Sequence, residues 1–184
     1  MRHREESNMK SIIGRVLSLY GDNISTDDMT SGKFLDRTSD PKALGEICMH
    51  DIDPDFPKRM ASGGFVVARK NFGCGSSRET APVALKACNV QAIIAEEYAR
   101  IFYRNCINIG LPLIECRGIA EKVDLNDSLE IEFETGRIKN LTKGEEYQGV
   151  PIPLFLLEKL EQGGLMEELK TWADKQWAAG RFKK

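Results

Sequence analysis

One segment, residues 70–79, constrains the fold more than any other part of the chain. Its sequence, KNFGCGSSRE, follows the apolar run of residues 65–68, which predicts a buried strand, and precedes residues 81–88, which predict a helix. Where a strand is followed by a helix, backbone N–H groups are unpaired and point outward. The segment is therefore suited to holding an anion.

The side chains of this loop add donors that match small acids. Gly73 and Gly75 permit a tight turn and let a ligand approach the backbone closely. Ser76 and Ser77 supply hydroxyls, and Arg78 supplies a planar fork of N–H donors that fits a carboxylate or a phosphate. These residues together predict a binding site for small acids.

A purely structural interpretation of the loop also has to be considered. The pattern Ser76-x-x-Glu79 matches a capping box, in which the serine only satisfies the start of a helix. That interpretation would place Pro82 in the second helical turn, where its missing N–H breaks the hydrogen-bond ladder. With Thr80 as the cap, Pro82 falls in the first turn, where proline is tolerated. The sequence thus favours Thr80 as the cap and leaves both serines available to a ligand.

Other interpretations of the glycine loop fit less well. Arg78 stands where the third glycine of a dinucleotide-binding fingerprint belongs, and no lysine occupies a phosphate-loop position. Cys74 could serve as a nucleophile only with a base beside it, and neither of the two histidines in the chain is close in sequence.

Composition limits the classes of partner and compartment. The chain has 184 residues, of which 41% are hydrophobic, and this is enough for one compact domain with a core. A net charge of −2 gives no electrostatic reason to expect nucleic acid or an anionic membrane, and no apolar run reaches the length of a membrane span. The five scattered cysteines include no C-x-x-C pair, which predicts reduced thiols in a cytoplasmic protein and no metal site.

Strand and helix patterns alternate along most of the chain, which predicts an α/β fold with a parallel sheet and crossover helices. A long polar segment, residues 25–57, is expected to include a mobile loop and a short helix at 42–49. Further patterns predict strands at 12–19, 90–95 and 111–116, a helix through Asn105, a hairpin at 129–141, and C-terminal helices at 153–160 and from 165 onward.

Several motifs, taken in order, resemble a known family. The loop sequence NFGCGSSRE is followed by AP at 81–82, by AEEYARIFYRN at 95–105 and by INIGLPL at 107–113, and GDNI precedes it at 21–24. This series resembles the small subunit of 3-isopropylmalate dehydratase and homoaconitase, which corresponds to the swivelling domain of aconitase. The resemblance implies a three-layer swivelling β/β/α domain spanning residues 9–184, with residues 1–8 as a disordered extension.

The resemblance also implies an activity and roles for particular residues. The family isomerises hydroxylated di- or tricarboxylic acids by removing and re-adding water. Ser76 matches the family's general base, Ser77 and Arg78 match residues that hold a substrate carboxylate, and the loop backbone at 73–75 supports them. Asp27 matches an aspartate that orients the site, although an aspartate there could also simply serve a turn or cap. The implied cofactor is a four-iron–four-sulfur cluster carried by a large subunit, with none bound by this chain.

Substrate identity depends on segments where this chain departs from the family. Thr80 stands where a histidine is common, and Ser25 stands where an aspartate is common. An arginine such as Arg37 would suit a distal carboxylate, as in homoaconitate, or it could be a solvated loop charge. The resemblance places 3-isopropylmalate, and so leucine biosynthesis, first, an acid with a further carboxylate second and a methylated malate third. A non-catalytic carboxylate-binding module and a thiol enzyme using Cys74 are the alternatives from other classes.

Overall fold

A seven-stranded mixed sheet forms the framework of the protein, as seen in a computed structural model that describes residues 11–35 and 39–178. Four strands run parallel to one another: β1 (Ile12–Tyr20), β2 (Gly64–Ala68), β3 (Val90–Ala95) and β4 (Leu113–Glu115). Three more form an antiparallel meander on the other side of β1: β5 (Ser128–Glu132), β6 (Arg137–Asn140) and β7 (Glu145–Gln148). The strand order is β4-β3-β2-β1-β5-β6-β7.

Strand β1 joins the two halves of the sheet. Its first part pairs antiparallel with β5, from Ile12 to Arg15, and its second part pairs parallel with β2, from Val16 to Tyr20. A register shift between Val16 and Ser18 lies where the strand changes partners. Such irregularities bend and twist a strand, so β1 can serve two differently oriented halves.

Burial of the strands follows the sequence patterns. All five residues of β2 are buried, as expected of a strand with both faces covered. In β5, by contrast, the apolar side chains of Leu129 and Ile131 are buried, and the polar residues between them are half-buried. This alternation is typical of a sheet with one face on the core. The α/β fold class predicted from the sequence is confirmed.

The helices surround the parallel half of the sheet. They are α1 (Thr26–Met29), α2 (Gly32–Leu35), α3 (Pro41–Glu46), α4 (Phe56–Met60), α5 (Thr80–Ala87), α6 (Arg100–Ile109), α7 (Leu154–Glu161) and α8 (Leu165–Ala178). Helix α5 packs against α3 and α6, and α7 and α8 pack against α6. In the ranges that the structure describes, every helix is too short or too polar to cross a bilayer.

Some boundaries differ from those predicted. Helix α3 ends at Glu46 instead of continuing to Met49, because Met49 has a positive φ of 60° that an α-helix does not accommodate. Strand β4 begins only at Leu113, after Pro112, whose missing N–H makes proline a poor residue for a strand interior. The short helix α4 and the strand β7 were not predicted.

A polar cluster links β1 to the segment between α3 and α4. The hydroxyl of Tyr20 donates to Oδ2 of Asp53 (2.7 Å), and Arg59 Nη1 donates to Oδ1 of the same carboxylate (3.0 Å). Arg59 Nη2 also donates to the hydroxyl of Ser18 (3.2 Å). Partial burial acts to raise the pKa of Asp53, but the hydrogen bonds from Arg59 and Tyr20 outweigh it and hold the pKa below its ordinary value.

We expect Asp53→Asn to lower the free energy of unfolding by about 1–2 kcal/mol at pH 7, because the charged partner of two donors is lost. A carboxyl whose pKa is depressed by folding stabilises the protein above its unfolded pKa of about 3.9, and this contribution is lost as the pH falls through the folded value. The difference between wild type and variant should therefore shrink as the pH falls below about 4. Denaturant unfolding at several pH values measures it.

Asp55→Asn provides a matched control. Asp55 lies two residues away and pairs with Lys58 at 3.4 Å, but its side chain is 72% exposed, so its removal should change stability little at any pH. Equal losses in the two variants would show that the Asp53 cluster contributes nothing beyond a surface charge.

Candidate functional site

The loop of residues 70–79 lies between two neighbouring segments at the carboxyl edge of the parallel strands, the edge at which α/β sheets bind ligands. On one side, the N–H of Phe72 donates to the carbonyl of Glu97, just after β3 (3.0 Å). On the other side, the N–H of Thr26 donates to the carbonyl of Cys74 (2.8 Å). The loop is therefore fixed by backbone hydrogen bonds on both sides.

A cluster of aromatic side chains packs against the glycine loop. Gly73 and Gly75 have φ values of 78° and 95°, which side chains rarely adopt, and a Cβ built at Gly73 would overlap the ring of Phe102. Phe102 packs edge-on against Phe72, with ring centroids 5.5 Å apart, and stacks on Tyr98. The glycine at position 73 is thus required by close contact with α6 as well as by backbone conformation.

The two serines are held by their carbonyl groups. The hydroxyl of Thr26 donates to the carbonyl of Ser76 (3.2 Å), and the side-chain amide of Asn105 donates to the carbonyl of Ser77 (3.1 Å). Ser76 is half-buried, and Ser77 and Arg78 are exposed. Within the described residues, neither serine hydroxyl makes a hydrogen bond, so both remain available to a ligand.

Neither capping interpretation of the loop is correct. Helix α5 begins at Thr80, with Glu79 at the N-cap position and no side-chain cap. Ser76 therefore lies outside the helix and does not cap it, and Thr80, which was expected to be the cap, is the first helical residue. The hydroxyl of Thr80 instead lies 3.4 Å from that of Thr30. Helix α5 is stabilised by packing more than by its first residues.

A capping box does occur nearby, at α1. The hydroxyl of Ser25 accepts from the N–H of Asp28 (3.1 Å), and the Asp28 carboxylate accepts from the N–H of Ser25 (2.7 Å). Ser25 stands where an aspartate is common in related sequences. Serine and aspartate are both good N-cap residues, so either can cap α1 at this position. Asp27 is exposed and takes no part in the cap, although its neighbour Thr26 contacts the loop.

The structure brings together most, but not all, of the residues predicted for the site. Ser76, Ser77 and Arg78 share one loop, and Asp27 lies on the short helix that contacts it. Arg37 and residues 1–8 lie outside the described ranges, so their predicted roles stay predictions. The Thr26 hydroxyl and Asn105 were not predicted as parts of the site, because no local pattern marks a donor to a distant carbonyl.

The thiols do not form a nucleophilic or metal site in the described ranges. Cys74 is half-buried, and no histidine or carboxylate base contacts its sulfur there, while His50 interacts with Asp51 (3.2 Å). The other four cysteines are buried, and two of them, Cys48 and Cys88, are hydrogen-bonded to each other through their thiols. In this part of the chain no three metal-ligating side chains converge. The donor set therefore does not fit an iron–sulfur cluster, which takes several cysteine thiolates.

Known proteins similar to this chain include one domain family and several small subunits of isomerases or dehydratases. The Aconitase C-terminal domain family matches residues 23–118, which include the glycine loop. The isopropylmalate/citramalate isomerase small subunit of Methanocaldococcus jannaschii is 53% identical over 163 residues, covering 88% of this chain and 96% of that protein. The 3-isopropylmalate dehydratase small subunit of Clostridium beijerinckii is 51% identical over 161 residues, covering 88% and 99%.

A solved structure shares the fold. The crystal structure of 3-isopropylmalate dehydratase from M. jannaschii superimposes with a TM-score of 0.82 at 38% identity, covering 92% of this chain and 99% of that one. The family resemblance noted in the sequence is confirmed, and so is the expected swivelling-domain fold. The chain belongs to the family of 3-isopropylmalate dehydratase small subunits, which is built on the aconitase C-terminal domain.

Proposed function

We propose that this chain is the small subunit of a heteromeric hydro-lyase that isomerises a hydroxy-dicarboxylic acid by dehydration and rehydration. The observation that carries the proposal is the arrangement of the loop: Ser76 and Arg78 are accessible on a segment whose backbone is fixed from both sides. A fixed backbone with accessible donors is what binding and orienting an anionic substrate requires.

In this proposal one side chain of the loop transfers the proton and others bind the substrate. Ser76 takes a proton from the carbon next to a substrate carboxylate and returns a proton when water adds back. A serine is a poor base in water, so its alkoxide needs stabilising donors, which the Arg78 side chain and loop amides other than those of Ser77 and Arg78 supply. Ser77 and Arg78 hold a carboxylate, and Asp27, exposed on α1 beside the loop, orients the site.

We assign the remaining part of the active site to a large subunit. Enzymes of this family use an iron–sulfur cluster, and the described thiols of this chain do not form a set of ligands for one. The cluster and the group that receives the leaving hydroxyl therefore belong to the partner. Cysteines that are reduced and mostly buried also agree with a cytoplasmic protein.

The proposed substrate is 3-isopropylmalate. The relatives from M. jannaschii and C. beijerinckii both carry isopropylmalate in their names, and the first also carries citramalate, a methylated malate. These names support 3-isopropylmalate, and on this support we rank a methylated malate ahead of an acid with a further carboxylate. Arg37 remains a candidate for binding a distal carboxylate of the substrate.

Reconstitution tests this proposal. We expect the isolated chain to show no turnover and its mixture with a cluster-loaded large subunit, prepared without oxygen, to hydrate an unsaturated diacid. Isopropylmalate, citramalate and homocitrate assayed in parallel would rank the substrates. Full activity of this chain alone would contradict the proposal, and binding of diacids without turnover with any large subunit would identify a non-catalytic carboxylate-binding module.

A further inference from the structure

Two buried side chains from different elements fix successive peptide groups of the loop. Thr26, on α1, is 3% exposed and donates its hydroxyl to the carbonyl of Ser76, and Asn105, on α6, is 8% exposed and donates its amide to the carbonyl of Ser77. We propose that Thr26 and Asn105 are positioning residues that aim the N–H groups of Ser77 and Arg78 at a substrate carboxylate.

The geometry of the peptide bond links the two carbonyls to the two N–H groups. In a planar trans peptide the C=O and the following N–H point in opposite directions. The carbonyl of Ser76 points toward Thr26, so the N–H of Ser77 points away from it. By the same reasoning the N–H of Arg78 points away from Asn105. Within the part of the chain that the structure describes, neither N–H has a hydrogen-bond partner.

Both anchors are themselves firmly placed. Thr26 contacts the loop a second time, through its N–H to the carbonyl of Cys74 (2.8 Å). Asn105 is one helical turn from Phe102, whose ring lies against Gly73. A rigid donor needs no reorganisation when the ligand arrives, so anchors of this kind increase affinity by lowering the cost of ordering the loop.

The ligand implied is a carboxylate. Two successive N–H groups on one side of a loop form a concave site for an anion oxygen, and the neighbouring Arg78 side chain adds a charged donor. This inference rests on the proposed function, because the carboxylate is that of the proposed substrate. Affinity for the substrate then depends on Thr26 and Asn105, neither of which touches the substrate.

Substitutions that remove only the donors test the inference. Thr26→Val and Asn105→Leu keep similar side-chain shapes, and we expect each to raise KM for the diacid in the reconstituted heteromer about tenfold, with a smaller effect on kcat. Thr26→Ser keeps the hydroxyl and should restore KM. In ¹⁵N relaxation of the isolated full chain, order parameters of the Ser77 and Arg78 amides should fall from about 0.85 toward 0.6 in the two variants.

Thr30→Val is the matched control. Thr30 is 1% exposed, donates its hydroxyl to the carbonyl of Thr26 (3.3 Å) and lies 3.4 Å from the Thr80 hydroxyl, so its replacement removes buried hydrogen bonds without touching the two serine carbonyls. It should lower the melting temperature as much as Thr26→Val and leave KM unchanged.

Three results would overturn the inference: unchanged KM and order parameters in Thr26→Val and Asn105→Leu, an equal rise in KM in Thr30→Val, or low order parameters of both amides already in the wild type. If the wild-type heteromer turns over none of the acids, the proposed function fails. The order parameters then decide alone whether Thr26 and Asn105 fix the loop.

Discussion

Ser76→Ala should lower kcat of the reconstituted heteromer by about a thousandfold or more, while the free energy of unfolding stays within about 0.5 kcal/mol of the wild-type value. The large effect on kcat follows because the variant removes the proposed general base. The small effect on stability follows because the Ser76 hydroxyl makes no hydrogen bond within the described residues and does not cap α5. Steady-state kinetics and denaturant unfolding measure the two quantities.

Thr80→Ala is the control for this substitution and should show the opposite pattern. Thr80 is the first residue of α5, and its hydroxyl lies 3.4 Å from that of Thr30, so the variant should lose at most about 1 kcal/mol and keep its turnover. If Ser76→Ala retained wild-type kcat, the serine would not be the base. If it lost about 1 kcal/mol with unchanged turnover, it would behave as a capping residue.

Gly73→Ala should lower the free energy of unfolding by about 3 kcal/mol or more and abolish turnover. Two costs add at this position. A side chain at a φ of 78° costs about 1–2 kcal/mol, and a Cβ there would overlap the buried ring of Phe102, which costs a further 1–3 kcal/mol or displaces α6. Chemical denaturation measures the loss, and the near-ultraviolet circular dichroism of the aromatic cluster reports whether the ring has moved.

Gly144→Ala separates these two costs. Gly144 has a similar φ of 72°, but a Cβ there would meet no atom within 4 Å, so only the conformational cost of about 1–2 kcal/mol should remain. Equal losses at the two glycines would mean that contact with Phe102 does not determine the residue at position 73.

The loop and all the strands except β7 were predictable because their signals are local. A continuous apolar run predicts a strand buried on both faces, and this is what β2 is. Alternation at Leu129 and Ile131 predicts a strand with one face on the core, as in β5. Local signals did not reveal β7, whose Glu145–Gln148 sequence carries three polar residues and one buried tyrosine.

The caps show where a local pattern fails. The motif S-x-x-[DE] occurs at Ser25 and again at Ser76, and only the first is a capping box. Which one caps a helix depends on where the helix begins. Helix α5 begins at Thr80 and packs against α3 and α6, and the motif contains no information about these tertiary contacts.

The sequence by itself determined that a glycine- and serine-rich loop with an arginine follows a buried strand and precedes a helix. That inference needs only the period of apolar residues and the conformational range of glycine, which are properties of neighbouring residues. Only the tertiary structure decided how the loop is held. The donors to the Ser76 and Ser77 carbonyls come from Thr26 and Asn105, which are 50 and 28 residues away in the chain. Contacts over such separations form when separate elements pack together, so no stretch of sequence records them.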